Sequence, residues 1–298
     1  MSIKLNTPTP LEQYSFRGLE FLIKRDDLIS KELSGNKARK VEYYLNNLPK
    51  NIDTIISYGS IQSNAMYSLS YFAKEMGLKF IYHANHMPNL LKENPEGNLK
   101  LALENSMQLI EGYDNIKKGE NSIVIKEGIA QKEAYYGVKK LALELIEQVD
   151  KDKEYQVFLS SGTGATSLFL SKALKELNSN IKVYTTPCVG SKDYLIKQFK
   201  ELEAKSNYYP TILDTKKRYH FGKLYREFYQ IWLELQKELN IELELLYDPK
   251  SWLIILQNQE LFSNLIYIHQ GGLLGNITMK KRYQRKYGDL NENYKNKQ

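Results

Sequence analysis

TIISYGSIQSNAMYSLSYFAKEMGLKFIYH, residues 54–83 of a 298-residue chain, is the stretch from which the fold can be read. Residues 54–58 form an apolar run of strand length, and the small polar stretch GSIQSN breaks it. Residues 65–76 then carry apolar side chains at helical spacing, and Gly77 is placed to close that helix. A second strand-like run follows at 79–83. Strand, loop, helix and strand in this order predict a βαβ unit, whose two strands must lie parallel because the helix crosses back between them.

The same alternation extends in both directions. Upstream, after an extended start, residues 21–23 read as a short strand, and the polar turn 25–35 leads into a helix over 36–47. Downstream, a helix is expected at 96–105, strands at 107–110 and 122–125 on either side of a polar loop, 112–121, and a long helix at 134–149. A second run opens with strand 156–159, the loop SSGTGATS, helix 168–177 and strand 182–185. Helices at 191–205 and 223–239, an apolar run at 243–247, an amphipathic stretch at 252–257 and a strand at 265–269 complete it. The tail from Met279 is basic and polar, and its last residues are expected to be mobile. The pattern predicts an α/β protein with open, mostly parallel twisted sheets flanked by helices.

Composition narrows the function classes. The net charge is +7 with a pI near 9.0, but the basic residues are scattered among acidic ones, so the excess reads as solvated surface and nucleic-acid binding is not expected. Cys188 is the only cysteine, which excludes an internal disulfide and a cysteine-based metal or redox pair and points to a reducing, cytoplasmic setting. No secretory leader and no uncharged run of membrane-spanning length is evident. His83 and His86 have a possible metal spacing but no third ligand, and no metal is expected.

Several segments carry candidate chemistry. SGNKARK, residues 34–40, puts Lys37 in the first turn of a predicted helix, where the helix dipole disfavours an ammonium and lowers its pKa; read alone, the residue fits a solvated surface lysine better than a nucleophile. SSGTGATS, residues 160–167, offers small residues and hydroxyls between a strand and a helix, suited to a phosphate on converging backbone N–H groups or to an ordinary tight turn. GSIQSN supplies Ser63 and Asn64 at another strand end, Asn64 serving either a ligand or the helix cap. LYDPKSW and IHQGG, each after an apolar run, read alone as loop punctuation.

Taken in order, KRDDL, SGNKARK, SYGSIQSN, SSGTGATS, LYDPKSW and IHQGG resemble the 1-aminocyclopropane-1-carboxylate deaminase and D-cysteine desulfhydrase family over nearly the whole chain. The resemblance implies a tryptophan-synthase-β-like fold (fold type II of the pyridoxal-phosphate enzymes), with a smaller domain, 46–137, inserted into a larger one formed by 1–45 and 138–298. It implies pyridoxal 5'-phosphate in the cleft, Lys37 as the Schiff-base lysine, Asn64 on the ring hydroxyl, and Ser161, Gly162, Thr163, Gly164, Ala165 and Thr166 as the phosphate cup. Tyr247 would lie against the ring and take part in catalysis with Ser63, and Asp248 would sit beside the pyridine nitrogen. Gln62, Ser63, Phe221, Tyr247 and Gln270 would face a small amino-acid substrate.

Four positions depart from the family pattern. Asp248 stands where deaminases carry glutamate and desulfhydrases often threonine, and Pro249 replaces the usual glycine. Gln270 replaces an apolar residue or threonine, and Phe221, or nearby Tyr219, takes the place of a substrate-facing tyrosine. The expected reaction is release of ammonia and a 2-oxo acid from 1-aminocyclopropane-1-carboxylate, D-cysteine or D-serine. A racemase on the same scaffold and a catalytically silent cofactor-binding protein are the alternatives. The family relation also implies a homodimer.

Overall fold

In the computed structural model, which describes residues 3–113 and 116–295, ten strands and ten α-helices alternate as the periodicity requires. They are β1 (Leu11–Phe16), β2 (Leu19–Lys24), α1 (Asn36–Asn47), β3 (Thr54–Tyr58), α2 (Asn64–Glu75), β4 (Lys79–Ala84), α3 (Asn89–Glu93), α4 (Gly97–Glu104), β5 (Gln108–Glu111) and β6 (Ser122–Ile125). The second half contains α5 (Tyr135–Gln148), β7 (Gln156–Ser161), α6 (Ala165–Glu176), β8 (Lys182–Pro187), α7 (Lys192–Leu202) and β9 (Thr211–Ile212). It ends with α8 (Arg226–Leu239), α9 (Asp248–Gln257), β10 (Leu265–Ile268) and α10 (Gly275–Lys295).

The strands form two sheets. One has six strands in the order β1-β2-β10-β7-β8-β9, the other four in the order β5-β4-β3-β6. Every pairing is parallel except β1 with β2, an antiparallel hairpin closed at Arg17 and Gly18, both at positive φ. β10, late in the chain, pairs with β2 on one side and β7 on the other, so Tyr267 lies opposite both Ile23 and Phe158. The expected α/β class with two mostly parallel, helix-flanked sheets is the observed one.

Helices cover both faces of the larger sheet. On one side α8, α9 and α10 pack Trp232, Trp252 and Tyr283 against Phe16, Phe21 and Tyr267; on the other α5 and α6 pack Leu141, Leu145 and Leu170 against Val157, Leu159 and Ile266. Each such side chain, moved from water to full burial, contributes about 1.5–3 kcal/mol. The four-stranded sheet has its own core, which also takes in Ile29, Leu33, Ala38, Val41 and Tyr44 from ahead of residue 46.

Three local expectations differ from the structure. β1 lies within the stretch read only as an extended start, because its charges and hydroxyls hide the alternation. α9 begins at Asp248 rather than near 252, with Pro249 in its first turn, where a missing N–H costs nothing. The basic tail is largely helical: α10 starts at Gly275 and buries Met279 and Tyr283 while its basic residues face outward. Residues 296–298, at the end of the tail expected to be mobile, lie outside the described residues. Among the described residues no helix is long and apolar enough to cross a membrane.

Candidate active site

The carboxyl ends of β3, β7, β8 and β10 lead into the loops that carry the candidate residues, which is where ligands bind in parallel sheets. SGNK and IHQGG, more than 230 positions apart, meet there. A Cβ on Gly35 would lie 1.7 Å from the Gln270 carbonyl oxygen, and Gly35 also has a positive φ of 40°, so only glycine fits. The Asn36 N–H donates to that same carbonyl at 3.0 Å, which docks the first turn of α1 against the end of β10.

Lys37 projects from this turn, and its Nζ donates to Asn36 Oδ1 at 2.7 Å. Desolvation lowers its pKa from the ordinary lysine value to about 8, with the carboxylate of Glu244 opposing the shift. The Asn36 amide nitrogen donates to Gln270 Oε1 at 2.6 Å and Thr166 Oγ1 at 3.2 Å. Gln270 in turn donates to the Ser160 carbonyl and hydroxyl, each at 2.9 Å. Both ends of the Gln270 amide are thus held by protein, and they brace Asn36 beside Lys37.

The predicted phosphate cup spans the end of β7 and the start of α6. Gly164, at φ 77°, is the residue before α6, and a Cβ there would meet Leu195 and Phe199 at 2.5 Å. The first bond into the helix runs from Leu168 N to the Gly164 carbonyl, so the N–H groups of Ala165, Thr166 and Ser167 have no carbonyl partner within α6. Ser161 lies at the base, its hydroxyl bonded to Ser167 and Thr185 at 2.8 and 2.7 Å. Thr163 rests on Gly128, and the loop that presents Gly128 holds Ile129 at a φ of 55°, a strained state for a β-branched residue.

Lys40, one turn beyond Lys37, is buried with Nζ bonded to the Gly128 carbonyl at 3.0 Å. Burial, with the charge of Lys37 adding to it, pushes its pKa well below the lysine range. No carboxylate pairs with Lys40 among the described residues; its amine stands beside Gly128, on which Thr163 of the predicted cup rests.

On the opposing wall, Ser63 caps α2: its hydroxyl accepts from the N–H groups of Ala65 and Met66 at 3.1 and 3.4 Å. Asn64 is therefore free of the capping role and is the first residue of the helix. Its Oδ1 accepts from the fully buried Asn98 at 2.8 Å, which leaves Nδ2 directed toward Gly272, 2.6 Å from where a Cβ there would stand. The Oε1 of Gln62 is buried without a hydrogen-bond partner, 3.8 Å from the Cβ position of Gly97.

Tyr247 precedes α9, with its hydroxyl 3.5 Å from the Cβ position of Gly162, so its ring lies over the base of the cup. Phe221 packs against it with tilted rings, centroids 5.2 Å apart, and remains 42 % exposed. Tyr219 packs elsewhere, against Tyr225 and Phe228, and donates to Glu227 at 3.1 Å. Asp248 and Glu244 lie beside Tyr247 on the same turn. Asp248 accepts from the Glu244 N–H at 2.8 Å and from the Tyr267 hydroxyl at 2.6 Å; Glu244 accepts from the N–H groups of Leu246 and Tyr247 at 2.8 and 2.6 Å.

Four residues of this site carried no assignment from sequence: Asn36, Lys40, Asn98 and Glu244. Lys40 had a usable signal, three residues after Lys37 and so on the same helix face. Asn98 had none. Glu244 sits in IELELLYD, where alternation with apolar residues reads as the wet face of a strand.

Comparison with known proteins agrees with this geometry. A family described as "Pyridoxal-phosphate dependent enzyme" matches residues 3–196. A Thermotoga maritima protein named "Putative 1-aminocyclopropane-1-carboxylate deaminase" is 27% identical, covering 92% of this chain and 97% of its own. D-cysteine desulfhydrase of Salmonella typhi is 27% identical over 60% of this chain and 61% of its own. Among solved structures, an ACC deaminase homologue superposes with a TM-score of 0.76 at 25% identity, covering 95% of this chain and 93% of that one. A match spanning residues 3–196 shows that the chain belongs to the family of pyridoxal-phosphate-dependent enzymes.

Proposed function

We propose that this enzyme releases ammonia and a 2-oxo acid from a small amino acid of the 1-aminocyclopropane-1-carboxylate, D-cysteine or D-serine type. The observation that carries the reading is the convergence on one cleft of Lys37, the cup at α6 with Lys40 on its rim, and the amide of Asn64. The cleft lies between the proposed larger domain, 1–45 and 138–298, and the inserted domain, 46–137. Pyridoxal phosphate, when bound, supplies an electron sink for a carbanion at the substrate α carbon.

The residues divide the remaining work. The open N–H groups of Ala165, Thr166 and Ser167, the positive end of α6 and the amine of Lys40 would hold a phosphate. Asn64 Nδ2, its orientation set by Asn98, would donate to the cofactor's ring hydroxyl oxygen. Tyr247, braced by Phe221, covers the ring face, and Ser63 at the positive end of α2 receives the substrate carboxylate. Lys37 would hold the cofactor, and its amine, with a pKa lowered to about 8, would be suited to accept a proton from the substrate α carbon. The reading includes a cytoplasmic homodimer; exposed Tyr136 and Leu143 on α5 provide apolar surface of the kind subunits bury.

The test is the visible spectrum of the purified protein with added pyridoxal phosphate, followed by a 2-oxo-acid assay across the three amino acids. A yellow protein that forms a 2-oxo acid supports the reading. A yellow protein that only inverts substrate stereochemistry makes it a racemase, and a colourless one removes the assignment.

Two further outcomes follow from the geometry. Cofactor capture needs the neutral amine of Lys37, which is protonated below about pH 8. The uptake rate measured by stopped flow should therefore rise with pH and level off near 8, where an ordinary lysine would keep rising to about 10.4. Asn98→Leu removes the donor that orients Asn64, and cofactor retention measured by equilibrium dialysis should weaken about tenfold, the effect of one unsatisfied buried polar group.

A further inference from the structure

Two carboxyls approach the cofactor wall, and the position-by-position resemblance assigns the ring nitrogen to Asp248. The contacts in this chain divide the two acids differently. Asp248, 3% exposed, has both oxygens occupied: Oδ2 by the Glu244 N–H at 2.8 Å and Oδ1 by the Tyr267 hydroxyl at 2.6 Å, on the central strand β10. These bonds aim the carboxyl into the core of the larger domain, where Tyr267 packs on Trp252 with centroids 5.0 Å apart.

Glu244, also 3% exposed, is held at one oxygen only. Its Oε2 accepts from Leu246 N and Tyr247 N, while Oε1 has no hydrogen-bond partner among the described residues. Its surroundings are those of the cofactor. Oε1 lies 3.5 Å from the Cβ position of Gly275. Cγ lies 3.4 Å from the Cβ position of Gly272, the same point that Asn64 Nδ2 approaches to 2.6 Å. Glu244 is also the only carboxylate that perturbs Lys37 among the described residues.

In pyridoxal phosphate the ring positions run from the aldehyde-bearing carbon through the oxygen-bearing carbon and the methyl-bearing carbon to the nitrogen. A wall that meets the first with Lys37 and the second with Asn64 meets the nitrogen with the next polar group along, and the free oxygen of Glu244 is that group. We propose that Glu244, four residues ahead of the expected Asp248, is the acid that faces the ring nitrogen, and that Asp248 is a positioning residue that holds the Glu244 backbone. The proposal rests on the pyridoxal-phosphate reading above.

The chemistry is consistent with that division. Burial, reinforced by the charge of Asp248, pushes the Glu244 carboxyl well above the usual carboxylate range, the direction that favours the protonated acid. With the ring in place, its O–H bond breaks as the ring N–H bond forms. The resulting carboxylate is met by the two backbone N–H groups on Oε2 at the start of α9, where a helix amino terminus favours an anion. The shortening of the side chain at 248 to aspartate leaves that position tied to Tyr267, and Glu244 supplies the reach from another point on the same turn.

The experiment uses pyridoxal phosphate labelled with ¹⁵N in the ring, bound to the full-length protein and read by NMR, where protonated and unprotonated nitrogen have well-separated shifts. Wild type is expected to show the protonated signal, Glu244→Gln to lose it, and Asp248→Asn to keep it while melting at a lower temperature. Glu244→Asp keeps the acid but withdraws it by one methylene; it should lose the same signal, and it decides the matter where the glutamine variant does not fold. A protonated nitrogen retained in either Glu244 variant overturns the proposal. A wild type that takes up no cofactor overturns both this proposal and the functional reading beneath it.

Discussion

Lys37→Ala is expected to leave a folded protein that holds pyridoxal phosphate without the visible absorbance of wild type and turns over its substrate roughly a thousandfold or more slowly, since both the covalent anchor and the base are lost. Alanine is the best helix former, so the first turn of α1 keeps its conformation, and Asn36 retains its bonds to Gln270 and Thr166. Lys40 is the one nearby amine that could substitute, but its Nζ is bound to the Gly128 carbonyl in a buried setting one turn away. It still serves the cup, so the variant should bind the cofactor reversibly, which dialysis separates from the covalent retention of wild type. Full absorbance and turnover in Lys37→Ala would remove Lys37 from the mechanism.

Arg39→Leu should produce the largest loss of stability. Arg39, two residues from Lys37, is fully buried and joins Asp26 at 2.7 Å and Glu144 at 2.5 Å; Lys24 reaches Glu144 at 2.7 Å, and Thr9 donates to Asp26 at 2.8 Å. The network ties β2 and α5 to α1, the helix that presents Lys37. Removing the guanidinium leaves two buried carboxyls short of their partner, which costs about 3–5 kcal/mol, or on the order of 10 °C in melting temperature for a chain of this size. Cofactor affinity should fall with it, because α1 loses its anchor.

The same network sets an acid limit on stability. Burial disfavours the Glu144 carboxylate, but its hydrogen bonds and charge pairing with Arg39 and Lys24 outweigh that and hold its pKa at about 2. A carboxyl lowered in the folded state contributes stability that is complete above its unfolded value, near 4.3, and is lost as pH falls through the interval down to about 2. In Arg39→Leu this interval should narrow, so the acid limb of a melting-temperature profile still begins near the unfolded value but is shallower and ends at a higher pH than in wild type.

Much of this protein was legible in sequence because the information was local. Residues 54–58 and 122–125 were read as strands at the bounds they have, since short apolar runs closed by polar turns leave few alternatives. Helix 36–47 was read at its bounds because a glycine before it and a helical apolar stripe within it mark both ends. The candidate residues that come together in the structure, Lys37, Asn64, the cup at 161–166 and Tyr247, all follow strand ends or open helices, where chain order already fixes which end of the sheet they occupy.

Tertiary structure decided the rest. Gln270 stands beside two glycines at a strand end, as a substrate-facing residue would, yet Asn36 and Ser160 take both ends of its amide, and those partners lie 234 and 110 residues away. Asn98 has no motif at all; it matters because α4 lies beside α2 and its amide reaches Asn64. Between Asp248 and Glu244, sequence order favours the first and packing favours the second, because Tyr267 on β10 claims the aspartate and leaves a free oxygen on the glutamate. Sequence alone determined the element order, the parallel sheets and the residue types at each strand end, which depend on periodicity and turn chemistry. Which of those side chains points into the cleft depended on partners brought together across the fold, and no local pattern records them.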